Sequence, residues 1–197
     1  MLGIGAGHNA VYGGYTTVSA ETVQTIRNDF RISGGIQYNT IGKTSIEARP
    51  SYNHDLPWGR ISTEILLYYA NLSTVNNFSA GAGLGLSGKW IGGKLGYYYR
   101  LFGNVGSKIT EPFNVYYEFY CNLLPQIEDW DLKISITNNE LFELERHYQP
   151  SFIAKCNYYP TENISLSLTA GCKPAGMFHL SSDYYQSHIK LGVCYRW

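Results

Sequence analysis

Charge is scarce in this sequence. Asp, Glu, Lys and Arg make up 15% of its 197 residues and cancel to a formal net charge of zero, against about 25% in ordinary soluble domains. A neutral chain has no electrostatic footprint for nucleic acid, so that class of partner is excluded. Long apolar runs are missing too. No stretch approaches the ~18 residues that mark a membrane helix. Any crossing of a bilayer would have to use strands, because only helices and closed barrels satisfy the backbone in hydrocarbon. The four cysteines show no C-x-x-C spacing, so neither a metal site nor a cofactor is expected. Gly81-x-Gly83-x-Gly85 falls on a strand face and not at a strand-to-helix turn, which excludes a phosphate loop. No helical period, linker or repeat beyond the hairpin is visible, and residues 1–197 read as one domain. Leu2-Gly3-Ile4-Gly5 after Met1 has neither the charged start nor the apolar core of an export signal. For an exported chain, the numbering is therefore expected to be that of a mature protein.

What the sequence has is tyrosine (18), glycine (21) and a period of two. Between Tyr185 and Trp197, alternate positions carry Ile189, Leu191, Val193, Tyr195 and Trp197. Between them stand Gln186, His188, Lys190, Gly192, Cys194 and Arg196. One face is apolar and the other polar or small, the pattern of a strand between two environments. The same rhythm runs through Ile61–Tyr69, Phe78–Ser87, Ile91–Leu101, Phe113–Leu123, Trp130–Thr137, Tyr148–Tyr158 and Ile164–Cys172. It is weaker before residue 30. The reading is all-β, with about twelve strands of roughly 9–12 residues (ten as the alternative), a length that crosses a bilayer at a tilt. Pro50 within a strand predicts a bulge there.

The terminal strand, closing on an aromatic residue, resembles the C-terminal strand of bacterial outer-membrane β-barrels. That resemblance implies an antiparallel up-and-down transmembrane barrel in the outer membrane, in contact with lipid and lipopolysaccharide. It also implies that the insertion machinery reads the last strand. Counting turns back from the C-terminus places Asn28-Asp29, Asn53–Gly59, Gly88–Trp90, Pro125–Asp129 and Pro160–Asn163 on the periplasmic side. The longer loops Phe102–Pro112, Asn138–His147 and Lys173–Tyr184 fall outside. The count puts Trp58, Trp90, Trp130 and Trp197 at one rim, as an interfacial belt requires. Alternation alone would also suit a soluble barrel. The polar face, however, carries Gly81, Gly83, Gly85, Gly96, Gly171 and Gly192, which suit a crowded lumen better than a solvated surface.

On this phase Arg31, Arg49, Lys94, Arg100, Lys133, Lys155, Lys190 and Arg196 point into the lumen with Glu47, Glu64, Glu118 and Asp131. Bases outnumber acids. The expectation is a narrow channel favouring small anions, or else a structural or partner subunit of an envelope complex whose lumen Tyr68, Tyr98, Tyr116 and Tyr120 close. No catalytic residues are assigned on this reading. The alternative is a lipid hydrolase. His179-Leu180-Ser181, followed by Asp183, resembles the His-x-Ser element of outer-membrane lipid A deacylases, and His179 could activate Ser181. Ser182 stands where that family has Asn, and Val193 where it has Glu. Glu140, Glu143 and Glu145, interleaved with Leu141, Phe142 and Leu144, make either a solvated loop or a docking surface for an envelope partner. The cysteines read as apolar fillers, with Cys156 opposite about residue 165 and Cys121 opposite about residue 132.

Overall fold

The computed structural model describes residues 1–27, 29–104, 106–138, 150–174 and 184–195. Its elements are strands: β1 (Leu2–Asn9), β2 (Gly13–Thr25), β3 (Phe30–Asn39), β4 (Lys43–Leu56), β5 (Gly59–Leu72), β6 (Val75–Ser87), β7 (Ile91–Asn104), β8 (Ser107–Asn122), β9 (Trp130–Thr137), β10 (Ser151–Thr161), β11 (Ile164–Pro174) and β12 (Tyr184–Tyr195). Each pairs antiparallel with its sequence neighbour, and β1 pairs with β12, from Leu2↔Val193 to Asn9↔Gln186. The result is a closed twelve-stranded barrel without an edge.

The alternation in the sequence becomes inside and outside. The outward set is apolar and exposed: Leu2 is 70% accessible, Leu84 63% and Phe113 72%. The inward set is polar and buried, including Thr17, Ser19, Gln37, Ser45, Ser79 and Asn114. A water-soluble barrel would show the opposite arrangement. So wide an exposed apolar surface calls for an apolar solvent around it.

Short polar caps hold the turns. Asn9 Oδ1 accepts the backbone N–H groups of Val11 and Tyr12 at 2.8 and 3.2 Å. Asn39 Oδ1 accepts that of Lys43 at 2.9 Å, and Gly42 between them sits at φ 84°, a conformation that glycine adopts without a Cβ penalty. Asn104 Oδ1 accepts the N–H of Ser107 at 3.0 Å.

The structure corrects several sequence expectations. Phe102–Pro112 is not a long loop. β7 runs to Asn104 and β8 starts at Ser107, so the segment is the tip of a long hairpin whose register shifts between Tyr98 and Arg100. That shift breaks the alternation and makes the segment look irregular in sequence. Pro50 makes no bulge either. Pairing to β5 lapses between Ala48↔Leu67 and Ser51↔Glu64 without a change of register, as expected where a donor is missing. Cys156 faces Leu168 and Cys121 faces Ile134, two or three residues from the expected partners, because the ladders start beyond the turns assumed. Lys173 belongs to β11. Of the loop expected at Asn138–His147 only Asn138 is described, and residues 175–183 lie outside the described residues.

A candidate ion-lined lumen

The inner face of β3 to β9 can be read row by row from the register. One row runs Arg31, Ser51, Glu64, Gly83, Gly96, Tyr116. The row toward the tryptophan rim runs Asn53, Ser62, Gly85, Lys94, Glu118. In the other direction, Gly35, Glu47, Tyr68, Ser79 and Arg100 follow one another, and Arg100 faces Glu111 across the shift. Glycine at Gly83 and Gly96 is a packing requirement, because a Cβ at either would run into the Tyr116 ring or hydroxyl. Tyr116 therefore lies flat across β6 and β7, and with Leu66, Tyr68, Ala70 and Tyr98 it forms a buried cluster inside the barrel.

Ion pairs brace this face. Glu64 is buried and accepts Lys94 Nζ at 2.8 Å and the Tyr116 hydroxyl at 3.1 Å. The Arg49 Nη1 atom lies 3.9 Å from Glu64, and Arg49 also pairs with Glu47. Lys133 pairs with Glu118 and lies 4.0 Å from the centre of the Tyr120 ring. Arg100 donates to Asn77 Oδ1 at 3.2 Å, reaches Glu111 at 3.4 Å and lies over the Phe102 ring at 4.3 Å. Lys190 pairs with Glu21. In a medium of low dielectric such pairs matter because the alternative is a buried charge without a partner.

Each residue singled out in the sequence has a place in this arrangement. Arg49, Glu47, Glu64 and Lys94 form one network, Arg100 another, and Glu118 with Lys133 a third. Lys190 stands across the barrel with Glu21. Lys155 sits in register with Lys133, two like charges side by side. Asp131 accepts from Asn157 Nδ2 at 3.0 Å. Arg31 is half-buried, and its Nε is buried with no hydrogen-bond partner. Arg196, Trp197, His179, Ser181 and Asp183 lie outside the described residues, as do Glu140, Glu143 and Glu145. Trp58, Trp90 and Trp130 are exposed and flank the β4–β5, β6–β7 and β8–β9 turns, which an up-and-down topology puts at one end.

Sequence reasoning missed five charged residues. Glu21 lies in the weakly alternating second strand, and Glu111 is hidden by the shifted register. Lys43 opens β4 beside a turn and Lys173 lies near the end of β11, and both are almost fully buried. Arg60, beside the β4–β5 turn, pairs with Asp55. The signal available was parity: each falls on the inward phase once the strand is extended by a few residues.

At the tryptophan end the inner face leaves a cavity of about 300 Å³. Arg31, Arg49, Arg60 and Lys94 line it with Glu64, Tyr120 and several serines. A concavity of about 670 Å³ on the outer face is lined by Phe30, Tyr52, Ile65, Leu84, Tyr97 and Phe113 among others. It belongs to the surface that faces lipid. Among the described residues no group of His, Cys, Asp and Glu could hold a metal ion, and the four cysteines are free thiols.

A closed antiparallel barrel with an apolar exterior and a charged, tyrosine-filled interior is an integral membrane β-barrel of the bacterial outer-membrane type. Solved structures share the fold. The chain superposes on the KdgM porin in complex with disordered oligogalacturonate with a TM-score of 0.64 at 12% identity, covering 100% of this chain and 98% of that one. For the NanC porin the values are 0.63 and 12%, with full coverage of both chains. For the translocator domain of the autotransporter NalP from Neisseria meningitidis they are 0.58 and 13%, covering 100% and 86%. No family model and no curated protein matches the sequence.

Proposed function

We propose that this barrel is a narrow outer-membrane channel for small solutes that favours anions. One observation carries the reading: the excess of basic over acidic side chains on the inner face. Among the described residues, Glu21, Glu47, Glu64, Glu111 and Glu118 are each held by a base. Arg31 and Lys155 remain without an ion pair. Against these stands Asp131. Fixed positive charge in a confined lumen lowers the barrier for anions and raises it for cations. A porin of the same fold described with oligogalacturonate, a polyanion, is consistent with this. On this reading outer-membrane lipid, including lipopolysaccharide, surrounds the apolar belt, and the last strand is the element that insertion machinery would engage. The test is solute uptake by proteoliposomes, using anionic, neutral and cationic solutes of matched size. The anionic solute should enter fastest.

A second reading is favoured by the tyrosine cluster. Tyr68, Tyr98 and Tyr116 are almost fully buried, and with Leu66 they fill one side of the barrel at mid-height. If they close it, the protein acts as a structural or partner subunit of an envelope complex. Proteoliposomes impermeable to every solute, with the barrel shown to be folded, would favour this role.

A further inference from the structure

The structure assigns the cavity at the tryptophan end of the lumen as a resting site for a small oxyanion, with Arg31 as its anchor. Every other cation lining the cavity has its partner. Arg49 is held by Glu47 and Glu64, and Lys94 by Glu64. Arg60 holds Asp55 through both Nε and Nη2. Arg31 has no acid within ion-pair distance, and Asp55, whose charge it feels, is held by Arg60. Its Nε is buried with no hydrogen-bond partner, an arrangement that is costly for a guanidinium unless something else accepts the bond. Glu64 shares a row with Arg31, but Ser51 stands between them, and the carboxylate is drawn to Lys94 and Tyr116. The cavity is thus lined by one guanidinium that has no ion pair of its own. Its other lining groups include Ser51 and Asn53. The Ser51 hydroxyl, and the Asn53 amide N–H that is not given to the Asp29 carbonyl, can donate to the remaining oxygens of a ligand. A planar guanidinium with free donors matches a carboxylate or phosphate through two parallel hydrogen bonds.

This site rests on the channel reading for access alone, so its test is kept apart from conduction. Folded protein in detergent micelles, at fixed chloride, is titrated calorimetrically with inorganic phosphate and separately with acetate. Saturable binding of one or both anions at one site per barrel is expected. Arg31→Gln should weaken it at least tenfold. Lys108→Gln, exposed near the opposite end, should leave it within twofold. Heat-modifiable migration on gels reports whether each variant is folded. If Arg31→Gln does not fold, Arg31→Lys keeps the charge and loses the fork, and it should weaken binding at least threefold. Absence of saturable binding for both anions overturns the site, and so does unchanged affinity in a folded Arg31 variant. A barrel that binds phosphate through Arg31 but shows no anion preference in bilayers refutes the channel reading and leaves the site standing. Anion preference without saturable binding refutes the site alone.

Discussion

Replacing Glu64 with Gln removes the acid on which the inner network converges. Glu64 is 7% exposed and serves Lys94, Tyr116 and Arg49 together. Gln keeps the shape and an oxygen for the Tyr116 hydroxyl, so the loss is mainly one of charge. Breaking one side of a buried pair costs about 3–5 kcal/mol. Two features reduce that here: Arg49 retains Glu47, and the Lys94 side chain is about one-third exposed and can hydrate. A destabilisation of about 2–3 kcal/mol is expected on these grounds. It would be measured as a lower midpoint of guanidinium unfolding in detergent, with folding followed by gel mobility. The Lys94→Met partner completes a double-mutant cycle. The two losses should fall short of additivity by about 1–2 kcal/mol, because both remove the same interaction. Additive effects, or a Glu64→Gln barrel with the wild-type midpoint, would refute the idea that this network braces the lumen. The substitution should also strengthen anion preference, since it deletes a negative charge and leaves the bases.

Gly96→Val should displace the Tyr116 ring and destabilise the barrel by about 1–3 kcal/mol, as overpacking does, whereas Gly106→Val, with open space around its backbone, should fold normally. Tyr116→Ala should raise single-channel conductance if the tyrosine cluster narrows the path, and unchanged conductance would place the constriction elsewhere. Trp197→Ala should lower the amount of inserted protein in membranes more than a loop substitution does, and wild-type insertion would count against the terminal strand as a signal. Reductant should leave gel mobility of the folded barrel unchanged, because no two of the four cysteines are register partners.

The fold was legible because its physical cause is local. A wall with lipid on one side and a crowded lumen on the other forces a period of two, and Ile189 to Trp197 or Phe78 to Ser87 display it without any tertiary information. Parity could then be counted through the turns. The places that escaped are those where one residue breaks the count. The register shift at Tyr98 and Arg100 hid Glu111, the partner of Arg100. Glu21 lay in a strand whose inner face mixes Tyr15, Thr17 and Ser19 with few outward aliphatics, so its phase was weak. Which base meets which acid was not legible either. Rows depend on the offset between neighbouring strands, and turn sequences fix that offset only to within a few residues, as Cys121 and Cys156 show. The unpaired state of Arg31 is likewise a property of rows: it follows from Glu64 being drawn toward Lys94 and Tyr116, which no single strand reveals.

The central claim is that the basic excess inside the barrel sets what passes through it. The most direct measurement is the reversal potential of the reconstituted protein in a planar bilayer under a salt gradient. The account predicts a reversal potential displaced toward that of the anion, and a smaller displacement when Lys94 or Arg100 is replaced by a neutral residue. A displacement toward the cation, or one indifferent to those substitutions, would contradict it.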